Sequence, residues 1–193
     1  MAEQYKGNGA DGANGSGHNG GGDGPNGSGN GRFSGPGFGT LMIQMASGPS
    51  VPANLAEAEQ LIELAVDAGA RLVVLPEFFC IMAMKDTYVV KAREAEGHGP
   101  IQTFLSRVAK KHKIWLVGGS VPLEASVPNK VRNSCLVYDE RGKQVARYDK
   151  IHLFGLDLGN ERYQEAKLIE PGDKAVVVNS PFGRIGLSIC YDL

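Results

Sequence analysis

Three side chains with complementary chemistry each follow a short apolar run in this 193-residue sequence. Glu77 comes after "VVLP", Lys150 after "VARYD" and Cys190 after "GLSI". A cysteine thiol has a reference pKa of about 8.5, so it needs an ammonium that favours the thiolate or a carboxylate that accepts its proton. Together the three groups would supply a general base, an electrostatic stabiliser and a nucleophile. That is the equipment for acyl transfer through a thioester.

The elements that must position these groups can be predicted from the hydrophobic pattern after Gly39. The pattern predicts strands at 40–45 and 71–77 and helices at 54–70 and 100–113. Pro76 cannot donate to a central ladder, so it ends its strand and leaves Glu77 at the carboxyl end. Asn54 is the predicted N-cap of the first helix, since Glu57 follows three residues later. The buried stripes of the two helices are predicted as Leu55, Ala58, Ile62 and Ala65, and as Ile101, Phe104, Leu105 and Val108.

The second half of the chain reads mainly as strands. The run "NSCLVYDERGKQVARYDK" predicts a hairpin with its turn at Asp139 to Gly142, and residues 151–173 read mostly as loop. The runs "KAVVVNS" and "RIGLSIC" predict a last pair of strands joined at Pro181 to Gly183. Strands that alternate with helices and then form hairpins indicate an α/β fold with a mixed sheet. Because functional groups in such folds collect at strand carboxyl ends, we expect the three reactive side chains to meet there.

Three separated motifs resemble the signatures of the nitrilase superfamily, the carbon-nitrogen hydrolases, in the order found there. They are "LVVLPEFF" around Glu77, "RYDKIHLF" around Lys150 and "GRIGLSICYDL" around Cys190. The segments "VGGSVP" and "ERYQEAKLIEPGD" are also in register, so the resemblance extends from about Gly39 to Leu193. Among the subfamilies, the sequence is most similar to cytosolic amidases acting on deaminated glutathione or on ω-amides.

The resemblance implies a nitrilase-type αββα sandwich, a small linear amide as substrate, no metal or cofactor, and pairing into homo-oligomers. It implies that Glu77 is the general base, Lys150 stabilises the tetrahedral intermediate and Cys190 is the nucleophile. Glu165 matches a second glutamate that many members hold beside the triad. The strand before Cys190 would place it at a strand-to-helix elbow, where the Tyr191 N–H can face an oxyanion.

Several residues near the motifs receive weaker assignments. Cys80 and Cys135 are predicted to be core thiols, since free cysteine is among the most buried residue types. His152 is predicted to make structural hydrogen bonds. The residues that flank the motifs, and so are candidates for contact with substrate, are Phe78, Phe79, Asn133 and Phe154.

The sequence stops three residues after Cys190, whereas the family continues with a helix and further strands. We therefore expect an incomplete sandwich, a C-terminally truncated chain, and an Asp192 without its partner. This leaves an alternative open: a catalytically inactive fragment or interaction module that keeps part of the fold. A second alternative is Ser188 in "GLSIC", which is one residue short of the G-x-S-x-G elbow of α/β-hydrolases. In that fold the acid and the histidine follow the serine, and only three residues follow Cys190 here.

Composition limits the remaining possibilities. Residues 1–38 are mainly Gly, Asn, Ser and Asp, which predicts a disordered leader before a partial hydrolase domain at 39–193. The net charge of −1 gives no electrostatic case for nucleic acid as a partner. No run approaches 18 apolar residues, so no membrane span is predicted. Three cysteines without paired spacing are typical of free thiols in a reducing compartment, so a cytoplasmic protein is predicted.

Overall fold

A six-stranded mixed sheet with helices on one face organises the chain. The computed structural model describes residues 39–83, 85–157, 159 and 162–193, so the predicted leader lies outside the described residues. The described helices are α1 (Val51–Asp67), α2 (Asp86–Lys91) and α3 (Pro100–His112). The described strands are β1 (Gly39–Met42), β2 (Ala70–Val74), β3 (Trp115–Val117), β4 (Val121–Glu124), β5 (Val131–Tyr138), β6 (Gln144–Asp149), β7 (Gly155–Asp157), β8 (Arg162–Gln164), β9 (Val177–Ser180) and β10 (Gly183–Gly186). Short 3-10 helices cover Glu165–Lys167 and Cys190–Asp192.

The sheet changes from parallel to antiparallel along its width. Strands β1, β2 and β3 run parallel, while β5 is antiparallel to β3, β4 and β6. Strand β5 pairs with β3 through Val137 and Tyr138 and with β4 through Val131 to Ser134, so β3 and β4 follow one another along one of its edges. Strand β6 occupies the other edge, and the turn at Asp139 to Gly142 joins it to β5 as predicted. The mixed sheet and its main hairpin are thus confirmed.

Helices α1 and α3 cover one face of the sheet. Their predicted stripes are confirmed: all the named positions are buried except Leu55, which is partly buried and packs against the same cluster. Each large apolar side chain buried in this way contributes about 1.5–3 kcal/mol. Helix α3 begins at Pro100, a residue well suited to a first helical turn, and ends at Lys113 in the left-handed conformation.

The opposite face of the sheet packs against the end of the chain. Leu72, Val137 and Tyr148 form a second core cluster with Val178 and Ile189. The β9–β10 hairpin and the residues after it therefore lie on the face that the helices leave uncovered. This gives three layers, helices, mixed sheet and hairpin, and brings the Cys190 segment against the sheet.

The sequence-based boundaries are wrong at the start of α1. The helix begins at Val51, with Ser50 as N-cap accepting from the Ala53 N–H, so Asn54 is not the cap. Asn54 is instead buried, and its amide bonds Gly48 N–H, Gly48 C=O and Cys80 C=O. Asn54 thereby connects two loops to α1. One of these contacts spans 26 residues, so no local sequence pattern could have predicted it. Helix α2 and the β7–β8 pair were also not predicted, because each is only a few residues long.

Candidate active site

Glu77 lies in a tight turn directly after β2, at the carboxyl end of the strand. The turn is fixed through its backbone: Leu75 N–H donates to Val117 C=O, and Phe78 N–H donates to Ser120 Oγ at 2.9 Å. Phe78 has a positive φ of 48°, which turns the chain back towards the sheet. The Glu77 carboxylate is left partly exposed, with 28% of the side chain accessible.

Lys150 follows the last residue of β6 and is fully buried. Its N–H donates to Asn133 C=O, so the end of the β5–β6 ladder sets its position. The Nζ atom lies 3.0 Å from Glu77 Oε1 and 3.0 Å from Glu165 Oε2. Burial opposes the charge, but the hydrogen bonds and negative charges of the two glutamates outweigh it and raise the pKa of Lys150. Lys150 is therefore an ammonium held between two carboxylates.

Glu165 is the second carboxylate of this group and comes from the 3-10 helix after β8. Its side chain is 10% exposed, and Oε2 accepts from the Phe154 N–H at 2.8 Å. The Glu165 C=O accepts from the N–H groups of Leu168 and Ile169, which anchors the short helix. The structure thus brings Glu165 to Lys150 on the side opposite Glu77, where it supports the charge of the ammonium.

Cys190 is delivered to the same place by the segment after β10. Ile189 is buried in the second core cluster, and Cys190 itself is exposed and adopts a positive φ of 49° at the start of the last 3-10 helix. The charges of Glu77, Lys150 and Glu165 all act on its thiol, so the sulfur lies near this ion cluster. Partial burial and the charge of Glu77 raise the pKa of Cys190, and Lys150 offsets part of that rise. The resting thiol is therefore protonated at neutral pH, with a carboxylate in place to take its proton.

Three aromatic side chains, those of Phe154, Tyr163 and Tyr191, pack together in the segments that carry Glu165 and Cys190. The ring of Phe154 lies edge-on to Tyr191 at 5.4 Å and also contacts Tyr163 at 6.1 Å. The Tyr191 N–H donates no hydrogen bond to any residue that the structure describes, so it is free to meet an oxyanion. Phe78 is partly buried between two core clusters.

Phe79 and Asn133 are both candidates for contact with substrate. Phe79 is fully buried on the helix side of the sheet, where its ring lies against Phe104. Asn133 is also fully buried, and its Nδ2 donates to Glu77 Oε1 at 2.7 Å. Its Oδ1 has no partner among the described residues. Asn133 therefore acts on Glu77, a role that no spacing in the sequence indicates because the two are 56 residues apart.

Asp192, whose expected partner would follow Leu193, has other partners earlier in the chain. Its carboxylate accepts from Tyr148 Oη, the Ile189 N–H and the His152 N–H, and it contacts the His152 ring. These partners all lie within the chain, since β6 ends beside the last 3-10 helix. The contact between Asp192 and His152 is the structural role predicted for that histidine.

The assembled cluster has one ammonium hydrogen-bonded to two carboxylates, and one thiol close enough for all three charges to act on it. Such a group can transfer a proton from sulfur to carboxylate while an ammonium and a backbone N–H face a developing oxyanion. Ser188, the alternative nucleophile, is exposed and its hydroxyl has no hydrogen-bond partner among the described residues. Within the same residues, no cluster of three or more His, Cys, Asp or Glu side chains could hold a metal ion. None of the helices described is long and apolar enough to cross a membrane.

Comparison with known proteins gives consistent matches. The sequence model of the Carbon-nitrogen hydrolase family matches residues 42–193. The chain is 35% identical over 155 residues to the deaminated glutathione amidase of Yersinia enterocolitica, covering 79% of this chain and 54% of that protein. It is 37% identical over 144 residues to the chloroplastic omega-amidase of Arabidopsis thaliana, covering 72% of this chain and 38% of that protein.

A solved structure shows the same fold. Nit3 of Saccharomyces cerevisiae, a member of branch 10 of the nitrilase superfamily, superposes with a TM-score of 0.68 at 31% identity. The superposition covers 79% of this chain and 55% of that chain. The nitrilase-type α/β fold predicted from the sequence is thereby confirmed, and the chain spans about half the length or less of the relatives that it matches.

Proposed function

Because the chain belongs to the carbon-nitrogen hydrolase family, we propose that Cys190, Glu77 and Lys150 hydrolyse a small linear amide to a carboxylic acid and ammonia. One observation carries the proposal: Glu77 forms a 3.0 Å ion pair with the ammonium of Lys150, and the charges of both groups act on the nearby thiol of Cys190. If the only role of Lys150 were to balance the charge of two glutamates, the site would not need the thiol of Cys190 nearby.

In the proposed first half-reaction, Glu77 removes the proton of Cys190 while sulfur forms a bond to the amide carbon. The carbonyl electrons move to oxygen, and the Tyr191 N–H and Lys150 stabilise the resulting oxyanion. An ammonium has three N–H donors, and the two carboxylates leave one for the oxyanion. Glu77 then gives its proton to the departing nitrogen, the C–N bond breaks, and ammonia and a thioester remain.

In the second half-reaction, Glu77 takes a proton from a water molecule that attacks the thioester carbon. The C–S bond breaks, sulfur recovers the proton from Glu77, and the acid leaves. Glu165 takes no part in the proton transfers. It holds Lys150 in the charged form throughout, because the two groups are in direct contact and Glu165 is anchored by the Phe154 N–H.

We propose ω-amides of short dicarboxylic acids and related deaminated peptides as the substrate class. The support is the similarity to an omega-amidase and to a deaminated glutathione amidase. Phe154 and Tyr191 would form the apolar wall of the acyl pocket, because their rings border the nucleophile. Homo-oligomerisation and a cytoplasmic location stay predictions.

The test is ammonia release by the purified protein from a panel of ω-amides, with Cys190→Ala and Ser188→Ala compared to the unmodified protein. We expect Cys190→Ala to abolish release and Ser188→Ala to retain it. Equal release by the unmodified protein and Cys190→Ala would end the proposal, and loss only in Ser188→Ala would favour the serine mechanism. The absence of release from every amide would favour an inactive fragment or interaction module, whose support is the partial coverage of the relatives.

A further inference from the structure

A buried carboxylate joins the two segments that carry the amine and the thiol of the site. We propose that Asp192 is a positioning residue: with Tyr148 and His152 it forms a clasp that holds Cys190 in contact with Glu77 and Lys150. We name these three residues the Asp192 clasp. The role in turnover rests on the proposed function, whereas the positioning itself rests on the contacts below.

The Asp192 carboxylate is fully used by the chain. Its side chain is only 4% exposed. Oδ2 accepts from Tyr148 Oη at 2.6 Å and from the Ile189 N–H at 2.9 Å. Oδ1 accepts from the His152 N–H at 2.8 Å and lies 3.1 Å from His152 Nδ1. A side chain with four polar contacts and almost no exposure has a defined position.

The partners of the clasp bracket the functional residues in sequence. Tyr148 and His152 stand two positions before and two positions after Lys150, and the Tyr148 hydroxyl also accepts from the Ile151 N–H. On the other segment, Ile189 and Asp192 stand on either side of Cys190. The Asp192 carboxylate therefore holds the segment that carries Lys150 next to the segment that carries Cys190. It does so through residues on both sides of each.

The clasp also explains how Cys190 keeps an unfavourable backbone conformation. A φ of 49° is in the left-handed region, which a side chain with a Cβ disfavours unless its surroundings enforce it. The Asp192 carboxylate binds the Ile189 N–H, and the Asp192 N–H donates to the Ile189 C=O at 3.2 Å. These two bonds close a turn around Cys190. Without them, we expect Cys190 to relax to a negative φ and its thiol to leave Glu77.

The test measures the coupling between Cys190 and Glu77 rather than turnover. The rate of Cys190 alkylation by iodoacetamide is measured by peptide mass spectrometry with and without Glu77→Gln, first in the unmodified protein and then with Asp192→Asn. Asparagine matches aspartate in shape, but one of its two terminal atoms cannot accept. The charge of Glu77 raises the pKa of Cys190, so we expect Glu77→Gln to increase the alkylation rate severalfold when the clasp is intact. With Asp192→Asn we expect the factor to fall below about twofold.

Controls separate lost positioning from lost folding. Cys80 and Cys135 are buried, and burial raises the pKa of both thiols, so their alkylation reports unfolding within the same sample. The matched substitutions are Asp173→Asn, at an exposed carboxylate, and Tyr138→Phe, at a buried tyrosine of the neighbouring strand β5. Both should leave the coupling factor unchanged. If Asp192→Asn unfolds the protein and exposes the buried thiols, the coupling factor is measured in Tyr148→Phe instead. That substitution removes one donor of the clasp and keeps the aromatic ring.

The outcomes for the clasp and for the amidase proposal are distinct. A coupling factor that stays at its value for the intact clasp in both clasp variants would overturn the inference. Loss of coupling in a protein that releases no ammonia from any amide would retain the clasp and reject the amidase. In an active protein, we expect Asp192→Asn to lower kcat about tenfold or more while KM changes less than twofold. A change confined to KM would also count against positioning of the nucleophile.

Discussion

Replacing Asn133 with leucine tests whether its amide serves Glu77 or the stability of the fold. Leucine is close to asparagine in size but makes no hydrogen bond. The substitution removes a 2.7 Å bond to Glu77, and it also removes the buried Oδ1 that has no partner among the described residues. A hydrogen bond to a charged group contributes about 1.5–3 kcal/mol, and a buried unsatisfied acceptor costs about 1–3 kcal/mol.

These two effects oppose one another in the free energy of unfolding. We therefore expect Asn133→Leu to change that free energy by less than about 2 kcal/mol. Activity has no such compensation, because only the lost bond bears on the orientation of Glu77. A loss of about 1.5–3 kcal/mol in the transition state corresponds to a fall in kcat/KM of about tenfold to a hundredfold.

The assay combines urea unfolding, followed by the fluorescence of the single tryptophan, Trp115, with ammonia release. Asn54→Leu is the matched control, because Asn54 is also buried but all of its polar atoms bond distant loops. We expect that control to lose several kcal/mol of stability, since it leaves Gly48 N–H and Cys80 C=O without partners and removes one of the two donors to Gly48 C=O. If Asn133→Leu is destabilised as strongly as the control, or keeps its full activity, the reasoning is refuted.

Two further predictions concern charged groups. Lys150→Met leaves the carboxylates of Glu77 and Glu165 side by side without a cation, so we expect a loss of about 3–5 kcal/mol in urea unfolding at pH 7. Glu59 on α1 forms an ion pair with Arg107 on α3, and this hydrogen bond lowers the pKa of Glu59 to about 2. The ion pair therefore stabilises the fold fully above about pH 4.5, and this contribution disappears as the pH falls towards 2. Glu59→Gln should thus be less stable than the unmodified protein at pH 6, with the difference shrinking as the pH is lowered to 3.

Each of these has a result that would count against it. Lys110→Met, at an exposed position of α3, is the control for the lysine and should cost less than about 0.5 kcal/mol. A cost for Lys150→Met no greater than that of this control would show that the buried ion cluster does not support the fold. For Glu59, a stability difference that stays constant or grows between pH 6 and pH 3 would contradict the assigned pKa direction.

The sequence predicted the elements whose signal is local. The stripe of Ala58, Ile62 and Ala65 repeats along one helix, and the turn at Asp139 to Gly142 lies between two alternating runs. The meeting of Glu77 and Lys150 was also predictable, because each follows a strand of the six-stranded sheet, β2 or β6. Cys190 comes instead from the segment after the separate β9–β10 hairpin, so strand ends of one sheet did not predict its place.

The remaining features depend on contacts between distant segments. Neither the bond from Asn133 to Glu77 nor that from Asp192 to Tyr148 has a spacing that a sequence pattern could reveal. Phe78 and Phe79 are adjacent in sequence, and only the positive φ of Phe78 decides which ring enters the core. The capping preference of asparagine led to a wrong N-cap at Asn54. The same side-chain amide can cap a helix or bond buried loops, and the sequence does not distinguish the two.

The break between β3 and β4 places a glycine against the turn that carries Glu77. A Cβ at Gly119 would lie 2.0 Å from the carbonyl oxygen of Pro76, and Ser120 accepts from the backbone of Phe78. The turn that carries Glu77 is therefore held by main-chain atoms and one hydroxyl, whereas Phe154 and Tyr191, the proposed wall of the acyl pocket, come from other segments. Under the proposed function, that wall can be redesigned for a new acyl group while the proposed base stays in place, provided that position 119 remains glycine.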